Sequence, residues 1–316
     1  MSKSTQPLVA IVIVNWNKKE MTGNCLKSLK MTSYKNYKVI LIDNGSTDGS
    51  IEYLKKINPK MIILRLKRNY GYTEGTNVGW KYALKNLNAK YVCAMDNDIV
   101  TVQKDWLSLI VSELEKDPLR GIGSGKHTFQ NGNLQLPYME ADRKDDNKPA
   151  KGKYEFVKEV SSFFGPAIVI KNTVIRKIGC YDENFFYGPN DIDYCLRAGK
   201  AGFKLVYNGH SLSVHIGSVS GLSPMKDFIY LNQSESMMIY SFRYYSSLGK
   251  IAMIFRQLGR ALITRRAPIE RITNNNLLFH WKSLPKRLGY FCISLVKALN
   301  NYSSIKSSSE TSKILK

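Results

Sequence analysis

The chain has 316 residues, 43% of them hydrophobic, and a formal net charge of +22. That length and apolar content are enough for one large core, or one core with an appendage. The charge calls for an anionic partner: nucleic acid, an anionic membrane surface, or an anionic small molecule. Residues 226–316 hold fifteen Lys and Arg against four Asp and Glu, so half of the net charge sits in less than a third of the length. The cysteines are Cys25, Cys93, Cys180, Cys195 and Cys292, with no C-x-x-C spacing. Neither a zinc knuckle nor a redox motif is signalled, and the odd, scattered set fits reduced thiols in a cytoplasmic compartment.

In chain order, "LVAIVIV" (8–14) is continuously apolar and β-branched, the pattern of a strand covered on both faces. It leads into "NWN" with no small-residue cleavage site, so it reads as a strand and not as a signal peptide. Met21, Cys25, Leu26 and Leu29 share one helix face within 19–31. "YKVILID" (37–43) is a second strand, and the polar run after it reads as a loop with Asp48 or Ser50 starting a helix. "MIILRL" (61–66) is a third strand, residues 74–87 a helix, and "KYVCAMD" (90–96) a fourth strand. This alternation predicts a parallel sheet flanked by helices, with ligands outside the carboxyl ends of the strands. Gly71, Gly75 and Gly79 recur every four residues, which lets a helix lie close on the sheet or a backbone approach a ligand near Asn69.

Residues 139–153 are almost without apolar side chains and read as a solvated loop. "FGPAIVIK" and "FKLVYN" read as further strands. From about Lys226 the texture changes: Leu248, Ile251, Phe255, Leu258 and Leu262 follow helical spacing, with Arg256 and Arg260 on another face. Residues 287–299 form a second apolar and basic segment. The last dozen residues, rich in Ser and Lys, read as disordered. No stretch approaches the roughly 20 apolar residues needed to cross a bilayer.

Three polar clusters follow strand ends. Asp96 and Asp98 are two residues apart, and strand alternation puts such a pair on one side. Two adjacent carboxylates raise each other's pKa unless a cation intervenes, and magnesium or manganese favours oxygen ligands. The competing reading is an Asx-rich turn capping the next helix. Asp43 ends a buried strand and needs a donor, which the N–H of a uracil or thymine ring would supply. In "FFYGPNDIDYCLR", Asp191 and Asp193 sit among aromatics, where a raised pKa suits a general base; the ordinary alternative is an acidic first helical turn. His215, in "SLSVHIGS", alternates with Ser211 and Ser213 and matters chemically if Asp98 lies nearby. No G-x-G-x-x-G follows the first strand and no P-loop occurs. No helix-turn-helix, zinc finger or RNP-like pattern supports nucleic-acid binding.

In order, "VAIVIVNWN", "VILIDNGSTDGS", "RNYGYTEGTNVGW", "AMDND", "GPAIVIKNTVIRKIGCYDENFFYGPNDIDYCLRAGKAGF" and "VHIGSVS" resemble the family 2 inverting glycosyltransferases of GT-A fold, with the spacing of the bacterial rhamnosyltransferase-like branch. The resemblance spans roughly residues 7–220. It implies an α/β GT-A catalytic domain over 1–225; beyond it, composition and spacing read as a basic amphipathic helical extension (226–300) and a disordered tail (301–316). It implies transfer of a sugar from a UDP- or dTDP-sugar to a hydroxyl of a growing surface glycan or a lipid-linked acceptor. Asn15 and Asn17 would border the donor, Asp43 would bind the base, Asn69 would help hold the nucleotide-sugar, and Asp96 would lie by the ribose. Asp98 and His215 would bind a divalent cation (Mn2+ or Mg2+), and Asp191 would be the base. The family often has Glu-Asp where this chain has Asn190-Asp191, so a catalytically impaired nucleotide-sugar or glycan-binding subunit is the alternative. The basic C-terminal helices suit a cytoplasmic protein peripheral on an anionic membrane face.

Overall fold

The structure is a computed structural model describing residues 6–136, 138–163, 165–217, 226–262, 288–289 and 291–301. The chain divides into two compact units, one of residues 1–182 with 190–219, the other of residues 183–189 with 220–316.

The first unit is built on one sheet. Strands β1 (Val9–Asn15), β2 (Tyr37–Asp43), β3 (Ile62–Arg65) and β4 (Tyr91–Met95) run parallel in the order β3-β2-β1-β4. The sheet continues through β9 (Ala167–Lys171), antiparallel to its neighbours, then β6 (Arg120–Phe129), β10 (Lys204–His215) and β5 (Ile99–Thr101). Short strands β7 (Leu134–Gln135) and β8 (Val157–Val160) pair with β6 and β10. The continuous apolar run of β1 has a plain cause. Ala10 and Val12 join the core on one face of the sheet, while Val9, Ile11 and Ile13 join the core on the other.

Helices cover both faces. α1 (Lys19–Leu29) buries Cys25, Leu26 and Leu29 in the second core. α2 (Ser50–Ile57) starts within the expected polar run, but its N-cap is neither Asp48 nor Ser50: it is Gly49, at a φ of 76° and without a side-chain cap, while Asp48, one residue earlier, accepts from the Ser50 backbone N–H at 3.1 Å. α3 (Gly71–Asn86) lies on the opposite face with Trp80 and Ala83 fully buried. A Cβ on Gly79 would come within 2.4 Å of Val12, so the glycine spacing serves close helix–sheet packing. α4 (Trp106–Glu115) packs on the face of α1, and α5 (Asn172–Ile178) and α6 (Asn190–Lys200) follow β9.

Several elements were not anticipated from the sequence: α4, α5, β6 and the short strands β5, β7 and β8. β6, "RGIGSGKHTF", lacks apolar alternation because its polar residues find partners elsewhere in the chain: Lys126 meets Glu155 at 3.0 Å, and His127 meets Ser213 at 2.7 Å. Asp96 and Asp98 also lie past the end of β4, in a turn, so strand alternation is not what brings them together. The turn is held by the Ile99 N–H on the Asp96 carbonyl (3.3 Å) and by the Asp96 N–H on the Pro166 carbonyl (2.7 Å).

The second unit contains α7 (Lys226–Tyr244), α8 (Ser247–Leu262) and a helical stretch over 291–301. Within it Lys297 pairs with Glu235 at 2.9 Å, Arg243 donates to Asn301 at 2.9 Å, and the Arg243 guanidinium lies 5.1 Å from the Phe185 ring centre. No described helix is long and apolar enough to cross a membrane. The tail over 301–316 lies outside the described residues except at Asn301.

Candidate active site

The carboxyl ends of the parallel strands gather the predicted polar residues. Asp43 pairs in register with Asn15, and two residues earlier Ile13 pairs with Met95, which precedes Asp96. A chain of side-chain hydrogen bonds crosses this edge. Asn97 Nδ2 donates to Thr22 Oγ1 (2.9 Å), Thr22 Oγ1 donates to Asn15 Oδ1 (2.7 Å), and Asn15 Nδ2 donates to Ser46 Oγ (3.1 Å) and, longer, to Asp43 Oδ1 (3.5 Å). Asn15 and Thr22 are fully buried, and a buried amide with both ends satisfied is a rigid strut. The strut ties the Asp43 loop to the middle residue of the Asp96-Asn97-Asp98 turn.

Asp43 is itself fully buried, with the Ser46 N–H at 3.4 Å and the Nε of Arg65 at 3.7 Å. The Arg65 side chain is mostly exposed and lies over it. Beside them is an open depression of 330 Å3 lined by Gly45, Ser46, Thr47, Arg65, Leu66 and Lys67. Asn17 has a positive φ of 50° and accepts from the Thr47 N–H at 2.8 Å. Asn69 Oδ1 accepts from Asn44 Nδ2 (3.0 Å) and from the Gly71 N–H (2.8 Å). Asn44, which the sequence reading passed over, also accepts from the Tyr70 N–H (3.1 Å), so it shapes the whole 69–71 turn.

The acidic centre is assembled by β5 and β10. Their antiparallel pairing sets His215 opposite Ile99, the residue after Asp98, and the Ile216 N–H donates to the Asp98 carbonyl at 2.9 Å. His215 Nε2 then lies 3.1 Å from Asp98 Oδ2. Its Nδ1 lies 3.0 Å from Gln135 Oε1 on β7, which fixes the ring plane. Asp96, Asp98 and His215 each offer a ligand atom within 4.8 Å of the others. Burial and the Asp98 charge push the Asp96 carboxyl up to about 7, against the pull of His215 and a hydrogen bond from Tyr72. The Asp98 hydrogen bond and charge raise His215 against its burial. Asp98 Oδ1 is buried with no hydrogen-bond partner. A buried carboxylate oxygen without a donor, beside a second carboxylate and an imidazole, is the chemistry of a hard divalent-cation site, and these residues fit one.

Gly217 completes the cradle. A Cβ there would lie 2.2 Å from Asp98 Oδ2. Gly217→Ala is therefore expected to displace the Asp98 carboxylate, abolishing a Mn2+-induced thermal shift while circular dichroism stays native. An unchanged Mn2+ response in that variant would show that Asp98 can relocate without loss.

Asp191 opens α6. Its Oδ2 accepts from the Gly165 N–H (3.0 Å) and its Oδ1 from the Ile192 N–H (2.9 Å). Gly165 precedes Pro166, whose carbonyl holds Asp96, so Asp191 and Asp96 are anchored to consecutive residues. Burial raises the Asp191 carboxyl, and the backbone N–H groups hold the rise back. Tyr72 and Tyr181 both feel the charges of Asp96 and Asp191, which puts the two carboxylates in one electrostatic neighbourhood. Asp193 is different. It is fully buried and bridged to Arg197 at 2.9 Å, whose guanidinium also donates to the Ile178 and Cys180 carbonyls. Asp193 is a structural pair, and Asp191 is the carboxylate whose charge Asp96 feels.

Sequence reasoning missed Tyr72, Gln135, Asn44 and Gly217. Asn44, Gly217 and Tyr72 lie inside quoted motifs, whereas Gln135 lies outside them, between Leu134 and Leu136 after the Asn131-Gly132 turn, a short hairpin signal that went unread.

The glycosyl transferase family 2 model matches residues 10–179. An uncharacterized glycosyltransferase of Haemophilus influenzae is 30% identical over 122 residues, 37% of this chain and 36% of that protein, so the chain spans about a third of that relative. Among solved structures, the mannosyltransferase PcManGT from Pyrobaculum calidifontis, in complex with GDP-Man and Mn2+, superposes with a TM-score of 0.55 at 13% identity, covering 98% of this chain and 81% of that one. GalNAc-T7, solved with UDP, GalNAc and Mn2+, gives 0.56 at 14% identity, covering 79% and 54%. The fold is GT-A, and the family match extends from β1 through α5, over more than half of the chain. The chain belongs to glycosyltransferase family 2.

Proposed function

We propose that the protein transfers a hexosyl or rhamnosyl group, with inversion, from a UDP- or dTDP-sugar to a hydroxyl of a growing surface glycan or a lipid-linked acceptor. The observation that carries this reading is the meeting of Asp96, Asp98 and His215 around the unpartnered Asp98 oxygen, with Asp191 anchored beside them. Asp43 receives the N–H of a pyrimidine once the exposed Arg65 swings off it. Asn15 and Asn17 shape the loop that borders the nucleotide, Asn69 supports the glycine turn under it, and Asp96 lies toward the ribose. A divalent cation held by Asp98 and His215, with Asp96 beside it, supplies positive charge next to the leaving diphosphate when bound.

Asp191 takes the proton of the acceptor hydroxyl as that oxygen attacks the anomeric carbon. The bond from this carbon to the diphosphate oxygen breaks, and the bonding pair leaves with the nucleoside diphosphate. A base must be ionised to act, so burial of Asp191 places the acidic limb of the activity profile above the ordinary aspartate range. The two solved neighbours are complexes with a guanine and a uracil nucleotide, respectively. The donor is therefore tested directly: UDP-, dTDP- and GDP-sugars are screened for thermal shift and for release of the diphosphate. A response to the GDP-sugar alone would overturn the pyrimidine assignment. Binding without any hydrolysis or transfer would favour a binding subunit, the reading to which Asn190 gives some weight.

Cation binding should depend on pH with a definite sign. Asp96 holds its proton more tightly in the folded chain, so ionising it between the ordinary carboxylate range and about 7 subtracts stability from the cation-free protein. A cation needs Asp96 ionised and His215 neutral, so its binding releases protons. Mn2+ affinity is expected to tighten from about pH 6 to about pH 8, by up to tenfold per unit for each proton released. Calorimetry in two buffers of different ionisation enthalpy reads the proton release directly. An affinity indifferent to pH would remove Asp96 and His215 from the binding event.

A further inference from the structure

We propose that the outward face of α8 is a docking surface for an anionic lipid bilayer. An amphipathic helix in a globular unit normally turns its apolar stripe to the core. α8 does the reverse. Leu248, Ile251 and Phe255, spaced three and four apart on one face, are 80%, 50% and 67% exposed, whereas the opposite face buries Met253 and Gln257. Gln257 sits on the inside, its Nε2 3.5 Å from Met253 Sδ. Leaving a leucine and a phenylalanine in water while burying a glutamine runs against transfer free energies unless something apolar covers the stripe.

Charge identifies what covers it. α8 contains Lys250, Arg256 and Arg260 and no acidic residue, and Arg256 is exposed. A cationic helix with an unburied Leu-Ile-Phe stripe lies in the plane of an anionic headgroup layer, its apolar side chains reaching the acyl boundary and its basic ones meeting phosphates. A second helical stretch of the same unit has the same inversion: over 291–301 the small residues Ser294 and Ala298 are buried, while Ile293, Val296 and Leu299 are about half exposed. The unit's net basic charge favours the same anionic partner. The inference stands apart from the transfer reaction, because docking needs neither donor nor acceptor.

The test is sedimentation of the full chain with vesicles of phosphatidylglycerol and phosphatidylcholine, and with phosphatidylcholine alone. The wild-type chain should pellet with the anionic vesicles and release as salt is raised. Leu248→Ser with Phe255→Ser should cut partitioning about tenfold or more, and Arg256→Gln should cut it a few-fold, with unchanged circular dichroism. Wild-type protein that stays in the supernatant with anionic vesicles overturns the proposal. So does pelleting unaltered by the double substitution. A wild-type dimer that becomes a monomer in the double variant, with no vesicle binding by either, assigns the stripe to a second copy of the chain instead.

Discussion

Asp98→Ala is expected to lower sugar transfer by about 10²- to 10⁴-fold, the range that corresponds to several kcal/mol of lost charge stabilisation beside a leaving group. The physical basis is local. Asp98 is the member of the acidic centre with one oxygen 3.1 Å from His215 and the other buried with no partner. Removing it eliminates the proposed cation ligand and the partner of His215 together. It also removes the like charge that helps hold Asp96 up, so the Asp96 carboxyl should fall, and His215 should lose the Asp98 share of its upward push while keeping that of Asp96. The cation-free variant should melt at or above the wild-type temperature, since an unpaired buried oxygen is gone. Its Mn2+-induced shift should vanish. Asp98→Asn, which keeps the shape without the charge, separates packing from charge. Full, cation-independent transfer by Asp98→Ala would defeat the proposed mechanism.

Asp191→Asn should leave donor and cation binding intact and reduce turnover by about 10²- to 10⁴-fold, the usual contribution of a positioned general base. The substitution is nearly isosteric, and Oδ1 of the amide can still accept one of the two backbone N–H groups, from Gly165 or Ile192. The other is left facing an NH2 group, a cost offset by no longer burying a charge, so the melting temperature should move little. The informative pattern is a large fall in kcat with unchanged thermal shifts by donor and by Mn2+. At saturating Mn2+ the part of the acidic limb that reports Asp191 should disappear with the carboxylate, while the part set by cation binding through Asp96 and His215 remains. Near-normal turnover in this variant would require another base. Asp193 is a poor substitute, because Arg197 holds it at 2.9 Å in a fully buried pair.

Much of the fold was legible in the sequence. Four β-branched runs with intervening helical spacing implied a parallel sheet, and β1 to β4 form one. The clustering of Asn15, Asp43 and Asp96 follows directly, because parallel strands of similar length end on the same edge. β6 was illegible because its Lys126 and His127 are satisfied by Glu155 and Ser213, residues far along the chain. The carboxylate pair was recognised through the wrong local geometry, a strand in place of a turn held by Pro166.

By itself the sequence determined the strand-and-helix alternation and the identity of the acidic and basic groups, since periodicity and residue type are local properties. Only the tertiary structure decided which of those groups meet. The β5–β10 pairing carries His215 to Asp98, consecutive residues 165 and 166 tie Asp191 to Asp96, and Arg197 withdraws Asp193. The orientation of α8 was also undetermined, because helical spacing identifies an apolar stripe but not whether a core or something outside the chain covers it.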